Sequence, residues 1–166
     1  MKVRPKLAFL GIVAFQLLIL LGLIGYNEIT LAFGKSIVLQ SAPVDPRDLF
    51  RGDYVTLRYE ISIISQIPGL KNVDEGDKVY VHLEQFGDVW EATRGSASFH
   101  PEWDVFIAGE VVNYEIRYGI ESYFVPEGKG WEIQRADDIK VRVSVNRLGK
   151  ATIQGLILDG VPFQLR

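Results

Sequence analysis

A chain of 166 residues with 48% hydrophobic and 23% charged side chains has the composition of a folded protein, and no segment carries the high charge and low aromatic content that keeps a chain disordered. The absence of cysteine excludes disulfides, thiolate nucleophiles, iron–sulfur clusters and zinc ribbons, and suits an oxidising compartment. A formal net charge of −3 denies nucleic acid the surplus of Lys and Arg that phosphate binding needs.

The first element is the run LAFLGIVAFQLLILLGLIGY at residues 7–26, uncharged and with Gln16 as its one strongly polar side chain. At 1.5 Å per residue such a helix spans about 30 Å, the thickness of the bilayer hydrocarbon core, which predicts a transmembrane anchor. Lys2, Arg4 and Lys6 precede it, whereas Glu28 and Lys35 follow, so the positive-inside bias places the N-terminus in the cytoplasm and everything after Tyr26 outside. A cleaved signal peptide is the rival reading. The run exceeds the usual 7–15-residue apolar region, however, and neither GLIG nor TLAFG makes a convincing small-x-small cleavage site. Gly22 and Gly25 permit a close contact with a partner helix without forming a GxxxG face. The predicted organisation is a cytoplasmic tip and anchor at 1–33 and an extracytoplasmic domain at 34–166, periplasmic or extracellular. From residue 34 onward, 15 of the 18 basic and 20 of the 21 acidic residues remain, a net charge of −5.

Beyond the anchor, apolar residues recur at every second position in short runs separated by Gly, Pro, Asn or Asp. KSIVLQS (35–41) is the first predicted strand, ended by Pro43 and Pro46, which lack a ladder N–H. The second covers about 54–64, with Val55, Leu57, Tyr59, Ile61 and Ile63 on a core face and Tyr54, Thr56, Arg58, Glu60 and Ser62 on a wet one. KVYVHLEQF (78–86) and VWEATRGSASF (89–99) form a hairpin turning at Gly87-Asp88. FIAGEVVNYEIRY (106–118) reads as one long strand bending at Gly109. IESYFV (120–125) follows, then a short helix within 126–137 that Pro126 and Glu127 open. IKVRVSVNR (139–147), KATIQGLIL (150–158) and VPFQLR (161–166) complete the pattern, joined at Leu148-Gly149 and Asp159-Gly160. Eight or so strands predict a mainly β protein: a small antiparallel barrel or sandwich behind a transmembrane helix.

The stretch RGDYVTLRYE, 51–60, carries more charge and tyrosine than the start of a strand needs. Arg47, Asp48, Arg51 and Asp53 crowd beside Tyr54 and Tyr59, a density that predicts charge-assisted hydrogen bonds closing the VDPRDLFRGDY loop onto the sheet. The shared Gly-Asp-x-Val of RGDYVTLRY and EGDKVYVHL at 75 is turn chemistry rather than duplication, since the likeness ends with the motif. Residues Gly52 to Tyr59 match every specified position of the GDYXXLXY signature, and the chain resembles the family named after it. The likeness extends to PVDPRDLFRGDY (43–54), YGIESYFVPEGKG (118–130) and the closing G-x-A-x-I-x-G-L-x-x-D-G at 149–160. The resemblance implies a bacterial, membrane-anchored protein, with a multi-pass membrane protein encoded nearby as its partner. It supplies no activity, cofactor or metal.

The residues that follow from these blocks as a candidate interaction or structural motif are Asp45, Asp48, Arg51, Gly52, Asp53, Tyr54, Leu57, Tyr59, Tyr118, Gly119, Glu121 and Tyr123. Their dense charged and aromatic side chains exceed what turns alone require. The leading expectation is a non-enzymatic accessory or interaction module of the envelope. The alternative is an envelope hydrolase with a divergent Ser/Lys site, because an N-terminal anchor and an outer β-domain are similar to the membrane signal peptidases. Aligned on Gly52-Asp53, however, that family's serine falls on Val44 rather than Ser41, and its Gly-Asp-Asn-Arg block is missing. His82 with Glu84, and His100 with Glu102 and Asp104, make a metal site only if folding gathers them. Arg51-Gly52-Asp53 spells an integrin tripeptide but runs into a strand instead of capping a loop. Tyr114, Tyr118, Tyr123, Phe124 and Trp131 either pack the core and its edges or line a cleft.

Overall fold

The computed structural model describes residues 9–22, 34–41, 54–126, 132–133 and 135–164. Residues 9–22 form a helix (α1) made of the middle of the apolar run, and its side chains are exposed almost throughout. Among the described residues no helix is long and apolar enough to cross a membrane, because both ends of the 7–26 run lie outside them.

The rest is mainly β and antiparallel. Ten strands follow among the described residues: β1 Lys35–Gln40, β2 Tyr54–Thr56, β3 Lys78–Phe86, β4 Val89–Ser96, β5 Phe106–Val112, β6 Glu115–Arg117, β7 Ser122–Phe124, β8 Ile139–Val145, β9 Ala151–Leu158 and β10 Val161–Pro162. One sheet runs β1-β8-β9-β10, a second β4-β3-β5-β6, and β2 pairs with β7 in a short ribbon. The period-two pattern builds the core directly. Ile37 and Leu39 of β1, Val79, Val81 and Leu83 of β3, and Val141, Val143 and Val145 of β8 are each 4% exposed or less and belong to one cluster. The β3–β4 and β8–β9 ladders each shift register once, at His82/Leu83 and Arg142/Val143, and such bulges bend strands so that the sheet curls as a half-barrel around that core. The Gly149 carbonyl accepts the Ala108 N–H at 2.9 Å, and Lys140 of β8 reaches Asp88 at the β3–β4 turn at 2.6 Å, so the two sheets are tied at the backbone and at the surface.

Three expectations change. The strand expected over 54–64 is hydrogen-bonded to β7 only as far as Thr56, continues extended to Tyr59, and then coils into 3-10 turns at Glu60–Ser62 and Ile64–Gln66. The reason lies in a change of apolar period: Ile61, Ile64, Ile67 and Leu70 recur every third residue, the repeat of a 3-10 turn, and all four pack on the core. Ser62 is therefore buried and Ile63 only half-buried, the reverse of the predicted faces.

The run expected as one strand at 106–118 is instead a hairpin of β5 and β6, turning at Asn113-Tyr114, both left-handed with φ of 52° and 62°. Asn tolerates that region, whereas a tyrosine at the second turn position hides the usual Asn-Gly signal. Gly109 does not bend the strand but makes room for the returning one, since a Cβ there would lie 2.5 Å from Ile116 Cγ2. Of the helix expected within 126–137, residues 132–133 are helical and Ile133 is fully buried, while 127–131 and 134 lie outside the described residues.

Gly69 and Gly76 separate two costs of replacing a glycine. Both have left-handed φ, but a Cβ at Gly69 meets the Gly95 carbonyl oxygen at 2.3 Å whereas one at Gly76 meets open space. Urea unfolding is expected to show Gly76→Ala losing about 1 kcal/mol from φ strain alone, and Gly69→Ala about 3 kcal/mol or more from strain plus a backbone clash. Equal losses would mean that the Pro68–Gly95 crossing is not rigid.

Candidate functional site

The signature strand and the 118–125 block, chosen separately from the sequence, are neighbours. Tyr54, Val55 and Thr56 pair with Phe124, Tyr123 and Ser122, and the Leu57 N–H donates to the Glu121 carbonyl at 2.7 Å. Alternation sends Val55, Leu57 and Tyr59 inward, where each is 2% exposed or less. Tyr59, wholly buried, donates its phenol to the Ile120 carbonyl at 2.6 Å. Tyr118, 6% exposed, donates to the Ile61 carbonyl at 2.5 Å. The two segments thus exchange tyrosine hydroxyls, each capping the other's backbone just past its own strand. Gly119, at φ 78°, lets the chain reverse between Tyr118 and Glu121, and the Glu121 carboxylate accepts the Tyr118 N–H at 2.5 Å. Burial, and secondarily the Glu121 charge, raises the Tyr59 and Tyr118 pKa values well above the ordinary phenol. Burial also raises Tyr123.

Leu57, Tyr59, Tyr118, Gly119, Glu121 and Tyr123 are therefore brought together, as is the backbone of Tyr54. Asp45, Asp48, Arg51, Gly52 and Asp53, with the charge network and integrin tripeptide read from them, lie outside the described residues, as does Trp131. The expected aromatic grouping divides. Tyr118 is core, Tyr123 is half-buried, and Tyr114 and Phe124 are 91% and 52% exposed.

On the far side of Tyr59 the chain opens into a cleft of about 1320 Å³ between the 63–75 segment and the β5–β6 turn. Ile63, Ile64, Ile67, Leu70, Val73 and Val111 give it an apolar lining, and Tyr114 stands at its lip. Arg58, the signature residue between Leu57 and Tyr59, pairs with Glu115 at the same rim. The sequence reading missed this cleft. The signal was present in the three-residue apolar repeat that converts a strand into one of its walls.

The two histidines do converge, but on an indole. His100 stacks on Trp103 with ring centroids 4.6 Å apart, and His82 lies tilted at 5.3 Å from the same ring. His82 Nδ1 is 2.8 Å from Thr93 Oγ1, and His100 Nδ1 is 2.8 Å from Glu102. Among the described residues no group of three or more His, Asp or Glu side chains converges on one point. Ser41 donates its hydroxyl to the Arg58 carbonyl at 3.1 Å and its backbone bridges Tyr59, so it is placed as a brace for the signature strand.

Removing either phenol leaves a buried carbonyl without its donor, so Tyr59→Phe and Tyr118→Phe are each expected to cost about 1–2 kcal/mol in urea unfolding. The pH dependence has a definite sign. Both groups hold their protons more tightly folded than unfolded, so their stabilisation is complete below about pH 10, the unfolded phenol value, and drains as pH rises toward the folded values. Melting temperature should fall above pH 10 in the native chain and fall less steeply in the doubly substituted one. Parallel curves would show that the two phenols are not the linked groups.

A family model described as GDYXXLXY protein matches residues 16–156. No curated protein and no solved structure is significantly similar. The match takes in most of the chain, from the apolar helix through the clasped signature to β9, and the chain belongs to the GDYXXLXY protein family.

Proposed function

We propose that the chain is a single-pass, membrane-anchored accessory module whose β-domain lies outside the cytoplasm and engages another envelope protein without performing chemistry itself. The observation that carries this reading is the contrast between α1 and the domain. Phe9, Leu10, Phe15 and Leu18 of α1 are each exposed by 61% or more, while the domain closes its own core without them. Apolar surface costs about 25 cal/mol per Å² in water and nothing comparable in lipid, so the 7–26 run belongs in a bilayer.

The non-enzymatic half of the reading is supported by how the signature spends its polar atoms. The phenols of Tyr59 and Tyr118 donate to backbone carbonyls in the interior, which suits a structural clasp and leaves them poorly placed for acid–base work. For engagement, the cleft beside Arg58 offers the surface. Tyr114 is 91% exposed yet held at a left-handed φ of 62°, which costs an ordinary side chain about 1–2 kcal/mol, so its ring is kept at a loss to stability. The partner that suits an apolar cleft at the rim of a tethered domain is a membrane protein presenting an apolar segment, and the multi-pass protein implied by the family resemblance is the one proposed.

Two measurements test this. Protease added to intact spheroplasts should digest the β-domain and leave a short protected N-terminal fragment; a fully protected chain would overturn the topology. Co-expressed with the neighbouring multi-pass protein and purified in mild detergent, the native chain should bring it down. Tyr114→Gly should stabilise the domain by about 1 kcal/mol yet release most of that partner. Unchanged recovery in Tyr114→Gly, and also in a chain with Asp48→Arg and Arg51→Glu, would remove both proposed contact regions.

A further inference from the structure

The point at which the chain leaves the anchor bears on which end of the domain meets the bilayer. Residue 22 closes the described part of α1 and β1 begins at Lys35, so residues 23–34 allow a reach of about 40 Å at full extension and less along any other path. At that start of β1, Lys35 shares a recess of about 370 Å³ with Phe99, Phe106, Asn146, Arg147 and Asp104, and its other side borders a recess that Glu84 and Glu102 also line. Its amine also lies 4.8 Å from the centre of the Trp90 ring.

The surface around the recess is unlike a solvated end. Phe99 is 49% exposed, backed by edge-on contacts to Tyr80 and Phe106 at 5.7 Å and 5.3 Å. Leu148 is 65% exposed at the tip of the β8–β9 turn. That turn is rigidly built. The Asn146 side-chain oxygen accepts the N–H of Leu148 at 2.9 Å and of Lys150 at 3.0 Å, and Gly149, at φ 79°, anchors to the Ala108 N–H. A turn fixed by these three hydrogen bonds therefore projects a leucine outward, with Arg147 beside it. Exposed apolar and aromatic tips with Lys and Arg beside them are a composition that settles at the headgroup level of an anionic bilayer.

We infer that this end of the β-domain, formed by Leu148, Arg147, Lys35 and Phe99, lies against the bilayer surface, with the apolar tips entering the interface and the two cations meeting lipid phosphates. The inference rests on the anchored reading proposed above. It sets the orientation of the domain. β5 starts at Phe106 in this patch and runs to Val112, so Tyr114 and the cleft it guards stand about 20 Å further from the membrane.

The chain has no cysteine, so one introduced thiol can be labelled cleanly. Full-length Leu148→Cys and Tyr114→Cys, each carrying an environment-sensitive fluorophore, are reconstituted into vesicles of phosphatidylglycerol and phosphatidylcholine containing nitroxide-labelled lipid. Flotation reports anchoring, and thermal unfolding reports that the labelled domain is intact. The inference expects the label at 148 to lose most of its emission and shift to the blue, the label at 114 to keep its emission, and the contrast to shrink when phosphatidylglycerol is left out. Chains that float with neither label quenched, with both quenched alike, or with 114 quenched in place of 148 overturn the orientation and leave the anchor standing. Chains that fail to float bring down the anchored reading and this inference together.

Discussion

The reciprocal donation of two buried phenols is the constraint on which the rest of the domain depends. Tyr59 and Tyr118 sit on segments far apart in sequence, and each satisfies a carbonyl of the other's segment in the interior. A buried unpaired carbonyl costs more than a formed hydrogen bond returns, so neither segment can detach without stranding polar groups. The exchange also lies just past the point where pairing stops. The signature leaves the β2–β7 ladder after Thr56, runs extended to Tyr59, which reaches across to Ile120, and then coils into the 3-10 turns that wall the cleft.

The legible part of the sequence is the part governed by period and by glycine. β3 occupies the residues its alternation indicates, and the turns at Gly87 and Asp159-Gly160 fall where left-handed residues are available. Illegible was whatever needed a partner to be defined. A strand pattern across 54–64 is genuine through Tyr59, but the change from a two-residue to a three-residue repeat has meaning only once Ile61, Ile67 and Leu70 have a core to face. The Asn113-Tyr114 turn was hidden for a related reason. Its second residue is unfavourable locally and is paid for by the ladder on either side of it. As for the site, the two blocks were visible as dense chemistry, whereas their pairing, through Val55 and Tyr123, was not, because nothing in a single sequence reports which strands meet.

The letters that name the family divide by physical role. Leu57 and Tyr59 are core, and their substitution acts on folding before anything else. The positions the signature leaves open include Thr56 and Arg58, both exposed, and Arg58 lines the cleft. Leu57 and Tyr59, together with the unspecified Val55, are buried as a frame, while Thr56 and Arg58 face outward. The pairing of Arg58 with Glu115 joins the signature segment to β6 at the surface, outside the buried cluster.

That division lets the surface of the domain vary while the fold is kept. Substitution at the rim of the cleft, at Arg58, Lys71 or Tyr114, leaves both phenol–carbonyl contacts and the shared core untouched, because none of these side chains belongs to the buried cluster. Substitution at Tyr59 or Tyr118 alters the path of the 60–66 segment, and with it the cleft wall, even though neither ring lines the cleft. The shape of this surface accordingly depends on the interior. The clasp sets the shape that the rim offers, while the chemistry at the rim is free to vary without loosening the clasp.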